Sequence, residues 1–293
     1  MWNSIKIQLK LMKISREFRV AMILSSVYAV YAFVYYALEA RKEDIFNVLD
    51  ASEYVCFSPN NGLWNMYLMV YPFLVVMPFA TSYISDYKNR LMVIYASRVS
   101  RRNYYLSKLV ASFIGSALVV AIPFLLNLLL CNIFFPHNLN YWSIYPMRNY
   151  YGNLLGLNFV YEHVSSQLPF LGLLLKSQIL YEVMYIFLFS FITGMLGMLA
   201  MAISFLIKRF KIILYVPIYV LIQVMENIDV LLLNVAIDGK ETYVSYNFLD
   251  YFIPNNNWGG FSLFIILAEL GAMLLVIILC LYYAIHDDIR SVQ

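Results

Sequence analysis

The sequence predicts an all-α polytopic membrane protein of six transmembrane helices. An N-terminal amphipathic interfacial helix precedes them, and a short cytoplasmic helix lies between spans two and three. Three observations predict this. The chain is 62% hydrophobic and 13% charged, where soluble domains are nearer half apolar and a quarter charged. Its apolar residues gather into runs near the ~20 residues that cross a ~30 Å hydrocarbon core. Its cations are unevenly shared among the connecting segments. Fifteen of the 20 Lys and Arg residues fall in segments 1–19, 86–108, 208–211 and 286–293; the other five are Arg41, Lys42, Arg148, Lys176 and Lys240. The positive-inside rule places the first set in the cytoplasm. Both termini are then cytoplasmic, as an even number of spans requires, in a multi-pass protein of the cell (plasma) membrane. Six spans with loops leave no room for a large soluble domain in 293 residues.

Residues 1–18 mix apolar and basic residues. On a helical wheel Ile7, Leu11, Ile14 and Phe18 share one face, and Trp2, Ile5, Leu9 and Met12 the opposite one. Lys6, Lys10 and Lys13 form a stripe between them. Two apolar stripes predict an interfacial helix with lipid on one side and protein on the other, or a plain surface anchor. The rest, 19–293, forms the six-span domain, with spans at about 19–38, 64–85, 107–134, 177–207, 212–230 and 260–285. The second contains Pro72 and Pro78, which predict a bend. The fourth carries Ser190, Gly194 and Gly197 at spacings of four and three, a small-residue face for close helix packing. Outer segments are expected at 39–63, 135–175 and 231–258. Tyr141, Trp142, Tyr145, Tyr150 and Tyr151 in the second of these fit an interfacial aromatic belt or a small cap. Cys56 and Cys131 would both lie near the outer face, where a disulfide is possible, although nothing in their spacing asks for one.

The most informative stretch is 86–108. It carries Asp86, Lys88, Arg90, Arg98, Arg101, Arg102 and Lys108 around one apolar run, Leu91-Met92-Val93-Ile94-Tyr95-Ala96. Six helical residues rise only ~9 Å, so this run cannot span a bilayer. A short apolar element held at a cytoplasmic surface among cations lies in the lipid interface or docks into another protein.

No phosphate-binding loop, dinucleotide fingerprint, zinc-protease helix or nucleophile elbow occurs. His137, His163 and His286 are far apart in sequence, and the pair Glu162-His163 supplies too few ligands for a metal site. The chain is read as having no catalytic site and no cofactor of its own. Nothing in it points to nucleic acid. Glu269, in FIILAELGAMLL, reads as a carboxyl near mid-bilayer, where a charge costs at least ~2.5 kcal/mol. It serves a transport pathway or a packing hydrogen bond. Asn127, Gln223 and Glu226 are further pathway candidates. Asn127 and Gln223 also suit interhelical hydrogen bonding. Glu182, Glu226 and Asp229 are expected near outer helix ends, in contact with water.

The pattern Arg98-x-Ser100-Arg101-x-x-Tyr104-x-x-x-Lys108 at the entry to span three resembles the membrane subunits of ABC-2-type ABC exporters. That family has an amphipathic helix before span one, a cytoplasmic coupling helix between spans two and three, and six spans. The resemblance implies that Leu91, Met92, Val93, Ile94, Tyr95 and Ala96 form the coupling helix, flanked by Arg98, Arg101, Arg102 and Lys108. They would dock on a separate ABC ATP-binding subunit that holds ATP and Mg. It also implies a second permease copy or paralogue, and 1–18 as a connecting helix. Tyr87 and Lys88 stand where many members have Glu and Gly. The longer outer segment here precedes span four rather than span six, which suits the bacterial branch that moves peptides, bacteriocins or drugs. Two alternatives stand beside it: a proton-coupled secondary transporter using Glu269, and a non-transporting sensor or scaffold subunit.

Overall fold

The computed structural model describes residues 2–42, 51–56, 62–89, 91, 100–136, 173, 177–207, 210–232 and 263–290. Most of these residues are helical, and there is no strand among the described residues. Helix α1 is Trp2–Ile14, α2 Arg16–Ala40, α3 Gly62–Val76, α4 Ser82–Lys88, α5 Arg101–Phe134, α6 Gln178–Leu206, α7 Tyr215–Leu232 and α8 Leu263–Arg290. Single 3₁₀ turns cover Ala51–Tyr54 and Lys211–Leu214. Four helical stretches are long and apolar enough to cross a membrane: Arg16–Ala40, Arg101–Phe134, Ile179–Leu206 and Phe264–His286. They make this a membrane-type fold. Leu63–Val76 and Lys211–Met225 are apolar but shorter.

The second expected span, 64–85, is two helices rather than one bent helix. Pro72 is accommodated inside α3. At Pro78 the missing N–H and the bias of the preceding residue away from helical geometry act together. The chain turns over 77–81 and restarts as α4. Ser15 separates α1 from α2 by a different device. Its hydroxyl donates to Met12 O at 2.7 Å and accepts from Phe18 N at 3.2 Å, closing one helix and N-capping the next.

Helices α5 and α6 form the most extensive helix pair and the centre of the bundle. Helices α2 and α1 pack on α5, α8 packs on α6, and α3 bridges both central helices. The central contact is close because it is built from small residues. A Cβ on Gly194 would sit 2.8 Å from the Phe113 ring, and one on Gly197 would land on the Ser116 hydroxyl. Ser112 Oγ donates to Gly197 O at 2.8 Å and Ser116 Oγ to Val75 O at 2.7 Å, so α6 and α3 are both bonded to α5. Thr193 donates to Phe189 O at 2.8 Å, which leaves Tyr71 OH as the donor in its 2.9 Å bond to Thr193 Oγ1. Above this level Trp64, Tyr67, Phe124 and Phe189 stack and tilt into one aromatic core with centroids 5.2–6.3 Å apart.

Candidate functional site

The site sits at the base of the 86–108 stretch and is made by two short-range repeats meeting face to face. Ser82 and Asp86 are four residues apart on α4, so they share a face; Tyr104 and Lys108 do the same on α5. The two faces meet. Lys108 Nζ lies 2.8 Å from Asp86 Oδ2 and donates to Ser82 Oγ at 2.9 Å. Tyr104 OH donates to the same Asp86 oxygen at 2.8 Å. The ammonium also lies 4.9 Å from the Phe79 ring centroid and 5.6 Å from that of Tyr104. Lys108 is 1% exposed and Asp86 17%. A buried ammonium is tolerated only when paired and hydrogen-bonded, and each of these contacts serves that need.

The brace closes the chain on itself around residues 89–100. Its floor is aromatic: Tyr83 of α4 and Tyr105 of α5 both pack edge-on against Phe205 near the end of α6, at 4.9 and 4.8 Å. The chain therefore leaves and re-enters a base fixed to the central helix pair. Of the residues expected to couple to a partner, Leu91 and Arg102 are exposed and Arg101 is half-buried. Met92, Val93, Ile94, Tyr95, Ala96 and Arg98 lie outside the described residues. Lys108 differs from its expected role, because a cation inside the bundle cannot touch another subunit. It holds the stretch rather than presenting it. Sequence reasoning named Asp86 only as one charge of the stretch and passed over Ser82; their four-residue spacing opposite Tyr104 and Lys108 was the available signal.

The pathway candidates lie on three helices, α5, α7 and α8. Asn127 is buried and both ends of its amide are engaged: Oδ1 accepts from Cys56 N at 2.9 Å and Nδ2 donates to Ala29 O at 2.8 Å. It ties α5 to α2 and to the 51–56 segment. Asn127→Leu, similar in size and apolar, is expected to strand the buried Cys56 N–H and to lower stability by ~1–3 kcal/mol. Thermal unfolding in detergent checks this, with Asn132→Leu on the same helix as the milder comparison. Gln223 is half-buried on α7, and the Glu226 side chain lies outside the described residues. Glu269 is half-buried six residues after the first described residue of α8, ~9 Å along it. Glu182, expected in water, is 4% exposed in the first turns of α6. Cys56 and Cys131 are free thiols. Burial pushes the Cys56 thiol well up, which keeps it protonated and unreactive.

Compared with known proteins, the chain matches no family model, no curated protein and no solved structure.

Proposed function

We propose that this chain is the permease subunit of an ATP-driven ABC exporter in the plasma membrane, with both termini cytoplasmic. A separate ATP-binding subunit supplies ATP and Mg, and a second copy or a paralogue completes the pathway. Six spans follow if α3, the 77–81 turn and α4 together make span two, and the Lys211–Leu214 turn with α7 makes span five. The observation that carries the proposal is the buried brace at the base of residues 89–100. A loop that must pass force between subunits needs a stiff root, since a soft one would absorb the displacement. Tyr104 and Lys108, two of the residues in the exporter-like pattern, are both in that root.

In this mechanism nucleotide binding draws the ATP-binding subunits together. The apolar run Leu91–Ala96 moves with them, and α4 and α5 move as one body because Asp86 and Lys108 join them. The motion passes through the Tyr83, Tyr105 and Phe205 contact into α6, and the pathway switches from inward- to outward-facing. The cargo is a peptide, a lipid-like molecule or a drug. Proton coupling through Glu269, one of whose carboxyl oxygens is buried, is the alternative reading.

The test is purification in mild detergent from the native membrane, with the double variant Met92→Asp, Tyr95→Asp in parallel. The wild type is expected to bring down an ATPase carrying a phosphate-binding loop. The variant is expected to elute as intact protein with that ATPase at least tenfold depleted, as loss of two apolar anchors at ~1.5–3 kcal/mol each implies. No ATPase with an intact wild type overturns the proposal.

A further inference from the structure

We propose that the outward flank of α1 is a binding surface for anionic phospholipid headgroups, built from Lys6, Lys10 and Lys13. This rests on membrane embedding and not on the exporter reading. The observation is a three-sided helix. One side is buried in the bundle through Ile5, Gln8 and Met12. Met12 is wedged against α5, so that a Cβ on Gly115 would lie 2.7 Å from its sulfur. The second side is apolar and open: Ile7 is 51% exposed, Leu11 41% and Ile14 61%. The third is the lysine stripe. All three lysines are exposed, and none is in an ion pair among the described residues.

Depth decides what covers the two open sides. The exposed Glu17–Lys211 pair, five residues beyond Met12 in the chain, marks the polar boundary beside this helix. Met12 therefore docks at about the depth to which interfacial helices bury their apolar face, ~5–10 Å below the headgroups. At that level the open apolar side meets acyl chains. The lysine side, roughly a quarter-turn away on the wheel, meets phosphates. Trp2 is 65% exposed with Lys6 Nζ 5.6 Å from its ring, an aromatic–cation pair suited to the headgroup layer. Three unpaired cations beside an apolar stripe complement a negatively charged leaflet and gain nothing from a zwitterionic one.

The full chain, purified and re-lipidated with equimolar phosphatidylglycerol and phosphatidylcholine, is examined by native mass spectrometry for the lipids it retains. The wild type is expected to keep phosphatidylglycerol in preference. Lys6→Gln, Lys10→Gln, Lys13→Gln together should reduce that preference by roughly fivefold per lysine, on the order of a hundredfold in all. The three Lys→Arg replacements should preserve it. The three positions changed in these two variants are all exposed, so monodispersity and melting temperature should be unchanged, which separates loss of lipid from loss of fold. Equal retention of the two lipids by the wild type overturns the proposal, as does an undiminished preference in the glutamine variant. If the glutamine variant keeps its lipid but sheds a co-purifying protein, the stripe is a protein-docking surface and the lipid assignment falls.

Discussion

Gly197→Val is expected to abolish recovery of folded protein, and Gly197→Ala to destabilise it by ~3 kcal/mol or more, the upper end of what overpacking costs. A methyl group at Gly197 would meet the Ser116 hydroxyl directly and Ser116 Cβ at 2.6 Å, with Ser112 O at 3.3 Å. Relief by a rotamer change is blocked. The Ser116 hydroxyl is already bonded to Val75 O, and its Cβ is fixed to the α5 backbone. The helices would have to separate, and separation also breaks the Ser112 bond to Gly197 O. Hydrophobic burial cannot compensate, because lipid is as apolar as the contact and packing itself drives association. Gly271→Ala is the matched control. No atom lies within 4 Å of its added methyl, and the expected change is within ~0.5 kcal/mol. Melting curves in detergent, read by light scattering or tryptophan emission, distinguish the two. Equal melting temperatures for Gly197→Ala and Gly271→Ala would mean that the central contact is looser than described. Gly197→Ala combined with Ser116→Gly should recover part of the loss.

That contact was legible in advance. Ser190, Gly194 and Gly197 at spacings of four and three mark a helix face stripped of side chains, and such a face has little use except close approach. The two apolar stripes of 1–18 were legible for the same reason. A wheel separates faces without knowing what covers them. Ile5 and Met12 went inward and Ile7, Leu11 and Ile14 outward. Trp2, which shares a wheel face with Ile5 and Met12, is exposed at the start of α1.

Other features depended on information that periodicity does not hold. Composition made 64–85 one apolar run. Whether Pro78 kinks or breaks it depends on whether a neighbour satisfies the freed backbone, and that is a tertiary fact. Glu182 looked solvated because it sits near a helix start. Its burial arises because α6 is central to the bundle from its first turns, and no helical wheel ranks helices by centrality. The Asp86–Lys108 pairing lay in plain view as two charges at the ends of one motif. Which charge answers which across a loop is fixed only by how α4 is set down beside α5.

That pairing leads to the second large effect, which is asymmetric. Asp86→Asn is expected to cost ~3–5 kcal/mol, because it leaves a buried ammonium with only neutral acceptors. Lys108→Met should cost less, ~1–3 kcal/mol. The carboxylate left behind is 17% exposed and still accepts from Tyr104 OH at 2.8 Å, whereas Lys108 at 1% has no route to water. Asp86→Asn with Lys108→Met should be more stable than Asp86→Asn alone, since removing both charges also removes the desolvation cost that the lone ammonium cannot avoid. Thermal unfolding of the four proteins tests the order. If Lys108→Met is the more damaging single change, Lys108 is not the buried partner and the account of the brace fails. The double variant then separates folding from force transmission. It keeps a packed base but loses the bond that makes α4 and α5 one body. On the exporter reading it should still bind its ATPase and hydrolyse ATP while cargo transport falls at least tenfold. Undiminished transport in that folded double variant would leave the ion pair a stability device with no part in coupling.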